Sequence, residues 1–293
     1  MVTLRIPDNV EEVSFNLGEL TLTGLACGDK NDELVLCLHG WLDNAASFLP
    51  MLPYFKGKRV IAIDWPGHGL SSHRSTDAHY HFIDYVYDLL LLWEVNHWQK
   101  VDIVAHSMGG MISSAFSAAF PEKVKSLTLL DSIGFISGEA EEATEHLRKG
   151  LLSRLTCNQQ LSPSAKKKKF HPSLDSAIKA RVQVSDLNFQ QAKLLVERGI
   201  IEDGNGFIWR TDRRLRNTSP YRLTLAQAKQ FIEDITIPVQ LIYGDKGLSF
   251  VQTGLKEFGP LFDNFISYKL IGGHHFHMAD PEQTSRHILE FIG

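Results

Sequence analysis

Cysteine is scarce in this sequence, and the spacing that marks many zinc and redox sites is missing. The 293 residues include three cysteines, Cys27, Cys37 and Cys157, with no C-x-x-C pair among them. An odd number without that spacing favours free thiols and fits a reducing compartment. The chain also has neither H-E-x-x-H nor a G-x-G-x-x-G after a strand. We therefore expect no metal and no organic cofactor.

Long apolar runs and a strong charge of either sign are absent as well. No apolar stretch approaches the ~20 residues that span a bilayer, and residues 1–8 lack the apolar centre of a signal peptide. The formal net charge is -4, whereas nucleic-acid-binding surfaces usually need a basic excess. These absences predict a cytoplasmic protein with no membrane span and no nucleic-acid partner.

What the chain does contain is a regular alternation of short apolar segments and amphipathic ones. Continuous apolar runs are typical of strands buried on both faces. Such strands, alternating with helices, indicate a parallel sheet with right-handed crossovers. We therefore predict an α/β fold with a mostly parallel central sheet flanked by helices. The predicted strands are two within 10–28 and one each at 34–38, 60–63, 101–106, 126–130, 237–244 and 265–271, and the predicted helices are 45–52, 82–97, 108–120, 253–258 and 281–292.

The alternation stops after Asp131 and resumes near residue 235. Residues 132–234 show no buried strand pattern and are charged, helical and rich in loops. We interpret them as a helical cap, or lid, inserted into a core domain formed by residues 1–131 and 235–293. Within the cap, the run Lys166–Lys169 is more typical of a solvated face than of an anion-binding or membrane-binding patch.

The most informative stretch is Val101-Asp-Ile-Val-Ala-His-Ser-Met-Gly-Gly110. Its apolar strand pattern stops at Ser107, and a helical stretch of small residues begins at once. A serine on such a strand-to-helix turn, with small residues two before and two after it, is the nucleophile-elbow pattern. Here the small residues are Ala105 and Gly109, with alanine in place of the usual first glycine. The alternative is a serine that only caps the helix.

Four motifs, in this order, resemble those of the α/β-hydrolase-fold superfamily. They are the loop His39-Gly-Trp41, the turn Asp64-Trp-Pro-Gly-His-Gly69, the elbow around Ser107 and the late pair Gly273-His274. Within that superfamily, the segments 39–44 and 67–73 are similar to those of the serine hydrolase-like proteins. The resemblance covers the chain apart from the predicted cap. It implies an α/β-hydrolase fold and a catalytic triad with Ser107 as the nucleophile.

The resemblance places the catalytic base in the loop after the last strand. A serine hydroxyl needs such a base within hydrogen-bond reach, and His274, His275 and His277 compete for the role. In the family pattern the histidine follows a glycine and precedes the proline of the final helix by seven residues. Counting back from Pro281 favours His274, and His275 is the alternative.

The resemblance also implies an oxyanion hole made of two backbone N–H groups. One belongs to Met108, the residue after the nucleophile. The other belongs to Trp41, in the loop after the strand 34–38. His39, in the same loop, is expected to brace it through hydrogen bonds.

The acid of the triad is ambiguous. In much of the superfamily it stands three residues after the glycine that ends the penultimate strand. That glycine is Gly244, but position 247 is Gly247. Asp245 lies in the same loop two positions early, and Asp131 ends the strand beside the nucleophile strand, where some relatives place the acid. We favour Asp131 and keep Asp245 as the alternative.

These residues predict a serine hydrolase of the carboxylesterase type that cleaves a small ester, thioester or amide through an acyl-enzyme. Its partner is then a small acyl substrate. Carbon–carbon bond hydrolysis and acyl transfer to an acceptor other than water are alternatives, because they use the same triad. From a different class, the alternative is a binding protein that keeps the fold without the chemistry, suggested by Ala105 and by the missing acid at 247.

Overall fold

The computed structural model describes residues 4–161 and 170–293. The run Lys166–Lys169 lies outside the described residues. All three cysteines, Cys27, Cys37 and Cys157, are buried free thiols. Among the described residues no helix combines the length and apolar character needed to cross a membrane.

An eight-stranded sheet organises the molecule. The sheet order is β1-β2-β4-β3-β5-β6-β11-β12. β2 pairs antiparallel with both β1 and β4, and the remaining neighbours are parallel. The prediction of an α/β fold with a mostly parallel sheet is therefore confirmed. The strands are β1 Val10–Asn16, β2 Thr21–Cys27, β3 Glu33–Leu38, β4 Lys58–Ile63, β5 Val101–His106, β6 Val124–Leu130, β7 Ser137–Gly138, β8 Ile200–Asp203, β9 Gly206–Trp209, β10 Leu223–Thr224, β11 Val239–Gly244 and β12 Phe265–Leu270.

Helices cover both faces of this sheet. One predicted helix, at 45–52, is instead two short 3₁₀ helices, Ala45–Phe48 and Leu52–Tyr54. Pro50 explains the difference, because proline in a helix interior removes a hydrogen bond and clashes with the preceding turn. The α-helices are α1 Phe82–Asn96, α2 Met108–Ala119, α3 Ala143–Leu161, α4 Leu174–Val182, α5 Phe189–Gly199, α6 Leu225–Glu233, α7 Ser249–Phe258, α8 Phe276–Ala279 and α9 Pro281–Ile292.

The core lies on the two faces of the sheet. Successive side chains of a strand point to opposite faces, and on β5 Ile103 belongs to one buried cluster while Val104 belongs to the other. Phe116 of α2 packs in the first cluster and Ile288 of α9 in the second. Every residue of β5 is buried, including the polar Asp102 and His106.

In its described part, the segment 132–234 carries α3 to α6 and four short strands. β8 and β9 form an antiparallel hairpin that the sequence analysis missed. Its residues are mostly exposed or half-buried, so it lacks the apolar run of a buried strand. α6 contacts α2, and its Ala228 and Ile232 belong to the core cluster around the sheet. The boundary between the predicted cap and the core domain, at residues 234 and 235, stays a prediction.

Candidate active site

Ser107 occupies a strained turn between β5 and α2. Its backbone has φ 52° and ψ -117°, a conformation rare for a residue with a side chain. Two contacts hold the turn. The Ser107 N–H donates to the carbonyl of Leu130 at 3.1 Å, and the hydroxyl of Ser132 donates to the Ser107 carbonyl at 2.7 Å. An ordinary helix cap would not need this geometry.

Small residues let α2 pass close to the ends of the neighbouring strands. A Cβ atom at Gly109 would lie 2.4 Å from the carbonyl oxygen of Leu38, and one at Gly110 would lie 2.6 Å from the hydroxyl of Ser132. Neither position has room for a side chain. The positive end of the α2 dipole therefore lies beside Ser107, where a negative charge is stabilised.

His274 pairs with Asp131. The Nδ1 atom of His274 donates to Oδ2 of Asp131 at 2.7 Å, because a carboxylate can only accept. This leaves Nε2 as the acceptor of the neutral ring. Asp131 is buried at the end of β6, and its carboxylate also accepts from the N–H groups of Gly244 at 3.2 Å and Leu248 at 3.0 Å.

The other acid candidate, Asp245, makes a different contact. Its Oδ1 accepts from the N–H of Gly272 at 2.8 Å, which ties the loop after β11 to the loop after β12. At position 247, a Cβ atom would lie 2.2 Å from Oδ1 of Asp131. The carboxylate of Asp131 therefore fills the space where a side chain at Gly247 would begin.

The loop after β3 forms a tight turn. The N–H of Asp43 donates to the carbonyl of Gly40 at 3.2 Å, and Leu42 has φ 63°. Trp41 is the second residue of this turn, whose N–H the turn hydrogen bond does not use. The indole of Trp41 is 49% exposed, and it lines the same cavity as Ser107.

His39 braces this loop, as predicted. Its Nδ1 donates to the carbonyl of Gly40 at 2.7 Å, and its Nε2 accepts from the N–H of Trp65 at 3.0 Å. Burial lowers the pKa of His39 below its usual value. A neutral ring is the form that this pair of contacts requires.

His275, the alternative base, is engaged by carboxylates on both nitrogens. Nδ1 contacts Asp186 and Nε2 lies 3.2 Å from Asp43. Burial alone would lower the pKa of His275, but Asp43 and Asp186 raise it to about 9. A ring that is protonated near neutral pH has no lone pair for the proton of a serine.

Two further histidines near the site, His277 and His106, are buried and neutral. Nε2 of His277 contacts the hydroxyl of Ser47 at 2.8 Å, and burial lowers the pKa of His277 to about 3. His106 donates through Nε2 to the carbonyl of His274 at 3.0 Å, and burial holds its pKa well below the usual value. His106 thus supports the main chain of His274.

The sequence analysis missed the ionic cluster around His275. Arg181 of α4 contacts Asp43, so that residues of the segment 132–234 and residues outside it share one network with Asp186. Asp43 could have been singled out, because it is the acidic residue of the 39–44 segment. Arg181 and Asp186 follow no recognisable motif.

The same cluster has donor atoms spaced as in a metal site. Atoms of Asp43, His106 and His275 lie within 4.8 Å of one another. Nevertheless, both nitrogens of His275 face carboxylates and Arg181 already neutralises Asp43. Asp43 and His275 are therefore engaged in an ion-pair network, whereas Nδ1 of His106 lies 3.7 Å from Asp43 and has no hydrogen-bond partner among the described residues.

One cavity joins these parts. It has a volume of about 1830 Å³, and its lining includes Ser107, His274, Trp41 and Gly247. Residues of the 132–234 segment, among them Arg213 and Arg216, form much of the remaining wall.

Comparison with known proteins supports the α/β-hydrolase fold. The family model described as alpha/beta hydrolase fold matches residues 33–281. A serine hydrolase-like protein of Danio rerio is 32% identical over 92% of this chain and 85% of its own length. Serine hydrolase-like protein 2 of Homo sapiens is 28% identical over 98% of this chain and 95% of its own length. The crystal structure of a hypothetical protein from Pseudomonas aeruginosa PAO1 has a TM-score of 0.88 and 34% identity, and the match covers 96% of this chain and 97% of that one.

Proposed function

Because the chain belongs to the α/β-hydrolase family, close to the serine hydrolase-like proteins, we propose that it is a serine hydrolase acting through an acyl-enzyme. Its substrate is a small ester, thioester or amide, and its activity is of the carboxylesterase type. The observation that carries the proposal is the juxtaposition of the strained Ser107 and the His274–Asp131 pair on one cavity.

In this mechanism Ser107 attacks the acyl carbonyl while Nε2 of His274 takes the hydroxyl proton. Asp131 keeps Nδ1 protonated and stabilises the imidazolium that forms. The N–H groups of Met108 and Trp41 bind the oxyanion, and each such donor contributes about 2.7–4 kcal/mol in the transition state. His274 then returns the proton to the leaving group, and water releases the acyl group by the same steps.

The backbone of Ser107 supports chemistry over a binding protein that only keeps the fold. A residue held in such a conformation costs about 1–3 kcal/mol. A non-catalytic scaffold gains nothing from that strain. In a serine hydrolase, the same strained turn exposes the nucleophilic hydroxyl at the edge of the sheet, where the substrate binds.

A fluorophosphonate probe tests the proposal. We expect the wild-type protein and Ser267→Ala, which changes an exposed serine on β12, to be labelled, and Ser107→Ala to remain unlabelled. Labelling that persists in folded Ser107→Ala, or no labelling of the folded wild type, would rule out Ser107 as the nucleophile.

A further inference from the structure

Two arginines of one short helix line the candidate active site. Arg213 and Arg216 begin and end a 3₁₀ helix, and both line the cavity that contains Ser107 and His274. In a 3₁₀ helix, side chains three residues apart lie on the same side. The two guanidinium groups therefore extend from one side of this helix.

A third arginine, Arg214, anchors this 3₁₀ helix to the rest of the protein. Arg214 is buried and donates to Asp212, whose carboxylate also accepts from the Arg214 N–H at 2.9 Å and so caps the helix. The Arg214 guanidinium also donates to the carbonyls of Arg74 at 2.7 Å and Ala78 at 2.8 Å. The helix is anchored by these contacts and does not need the exposed arginines on either side.

Arg216 is tied to the loop after β3. Its guanidinium carbon lies 5.9 Å from the centre of the Trp41 ring, and the Trp41 indole N–H donates to the carbonyl of Leu215 at 3.1 Å. A cation over an indole face is attracted by the ring. This places a positive charge beside the residue whose N–H we assign to the oxyanion hole.

The carboxylates that line the cavity are already neutralised. In the described part of the chain they are those of Asp43, Asp186 and Asp212. Asp43 contacts Arg181 and His275, Asp186 contacts His275, and Asp212 contacts Arg214.

Arg213 and Arg216, in contrast, are exposed and form no ion pair with a carboxylate of residues 4–161 or 170–293. Lys246, in the loop after β11, adds a further exposed cation to the lining. The chain has a net charge of -4, so this local excess of positive charge runs against the overall composition.

We propose that the substrate of this hydrolase carries an anionic group, a carboxylate or a phosphoryl group, which Arg213 and Arg216 bind at the cavity wall. This inference rests on the proposed function and assigns its substrate class. Guanidinium groups suit both anions, because their planar N–H pairs match two oxygens at once. The cavity exceeds the roughly 300–1,000 Å³ of ordinary ligand sites, so it has room for such a group beyond the scissile bond.

The acyl side is tested with two p-nitrophenyl esters of equal chain length, the hexanoate and the hydrogen adipate. The acyl chain of the hexanoate ends in a methyl group, and that of the hydrogen adipate ends in a carboxylate. If the anion lies on the acyl side, kcat/KM is higher for the adipate, and Arg213→Gln with Arg216→Gln lowers the adipate-to-hexanoate ratio by about tenfold or more. Because both values are measured on the same protein, the adipate-to-hexanoate ratio is unaffected by a loss of activity common to both esters.

The leaving-group side is tested with hexanoyl-4′-phosphopantetheine and hexanoyl-pantetheine, which differ only in the phosphate of the thiol. A preference for the phosphorylated thioester that falls in the double variant places the anion there. Arg286→Gln, an exposed arginine on α9, is the control and should change neither ratio. If the wild type prefers the anionic member of neither pair, or if its preference survives in the double variant, the inference is wrong.

Binding to Ser107→Ala separates this inference from the hydrolase proposal. We expect adipic acid monoanilide to bind this variant more tightly than hexananilide, and the difference to vanish when both arginines are changed, if the anion lies on the acyl side. Charge-dependent binding without fluorophosphonate labelling of the wild type would refute the hydrolase proposal alone. Labelling of the wild type with no charge preference on either side would refute this inference alone.

Discussion

Backbone groups, rather than a second side chain, hold the carboxylate of Asp131. The N–H groups of Gly244 and Leu248 donate to its two oxygens, and Asp131 itself has φ 45°. Strain of this kind costs about 1–3 kcal/mol and tends to occur at functional sites. Asp131 and Ser107 share this feature at the ends of adjacent strands.

The contact with His274 predicts a large effect of Asp131→Asn. On a p-nitrophenyl ester we expect kcat to fall by about 10⁴-fold, as when a triad aspartate loses its charge. Asp245→Asn should have a much smaller effect, because Asp245 binds the Gly272 N–H instead. If only the Asp245 variant lost activity at this scale, our assignment of the acid would be wrong.

A methyl group at position 247 should displace the same carboxylate. In Gly247→Ala the new Cβ atom would lie 2.2 Å from Oδ1 of Asp131, so the carboxylate must move away from His274. A shift of about 1 Å can lower kcat by on the order of 10²-fold. Gly204→Ala is the control, since a Cβ atom there meets nothing within 4 Å. Equal kinetics of the two variants would show that the carboxylate tolerates the contact.

At the scale of elements, the cluster around His275 joins three separate segments. Asp43 follows β3, Arg181 belongs to α4, and Asp186 lies between α4 and α5. His275 also donates its backbone N–H to Asp186 at 2.9 Å. The cluster therefore links the loop of the candidate oxyanion hole, the loop of His274 and the segment 132–234.

This cluster predicts a loss of stability in alkaline solution. Carboxylates raise the pKa of His275 to about 9 in the folded protein, above the unfolded value of about 6.5. Its stabilisation is complete below pH ~6.5 and disappears as the pH rises through ~9, by on the order of 3 kcal/mol. Urea unfolding between pH ~6 and ~10 measures the change. His275→Gln should flatten the profile, whereas His146→Gln should not, and a steep profile in His275→Gln would contradict the assignment.

At the scale of the whole molecule, the sheet order explains how distant residues meet. Ser107 follows β5, Asp131 follows β6, and His274 follows β12. The order β5-β6-β11-β12 is parallel throughout, so these strands end at the same edge. Ligands of open α/β sheets bind at that edge, which is where the cap segment forms the opposite wall.

A buried ion pair links the segment 132–234 to the sheet. Arg198 of α5 donates to Asp64, which follows β4, at 2.9 Å, and to Glu12 of β1 at 2.6 Å. Arg198 and Asp64 are 2% and 0% exposed, so water cannot replace a missing partner.

Arg198→Met should therefore lower the free energy of unfolding by about 3–5 kcal/mol, because it leaves the charge of Asp64 buried and unpaired. Chemical denaturation in urea measures the loss. Lys193→Met on the same helix is the control, since its pair with Glu197, in which the lysine side chain is 43% exposed, should contribute no more than about 1 kcal/mol. A loss in Arg198→Met no larger than in the control would show that water or another cation compensates Asp64.

The sequence by itself determined the α/β class, the buried strands and the elbow at Ser107. These depend on local information, because apolar runs, small residues and turn types act within a few neighbouring residues. Together with the family resemblance, it also gave three candidate bases in one loop, His274, His275 and His277.

Only the tertiary structure distinguished between the two candidate acids, Asp131 and Asp245, and between the candidate bases His274 and His275. Asp131 and Asp245 compete for one histidine, and chain spacing cannot tell which one the sheet brings within 2.7 Å of His274. His275 differs from His274 only by its neighbours Asp43 and Asp186, which are 232 and 89 residues away in the chain. Electrostatic interactions of this kind depend on distances in space, and folding alone sets those distances.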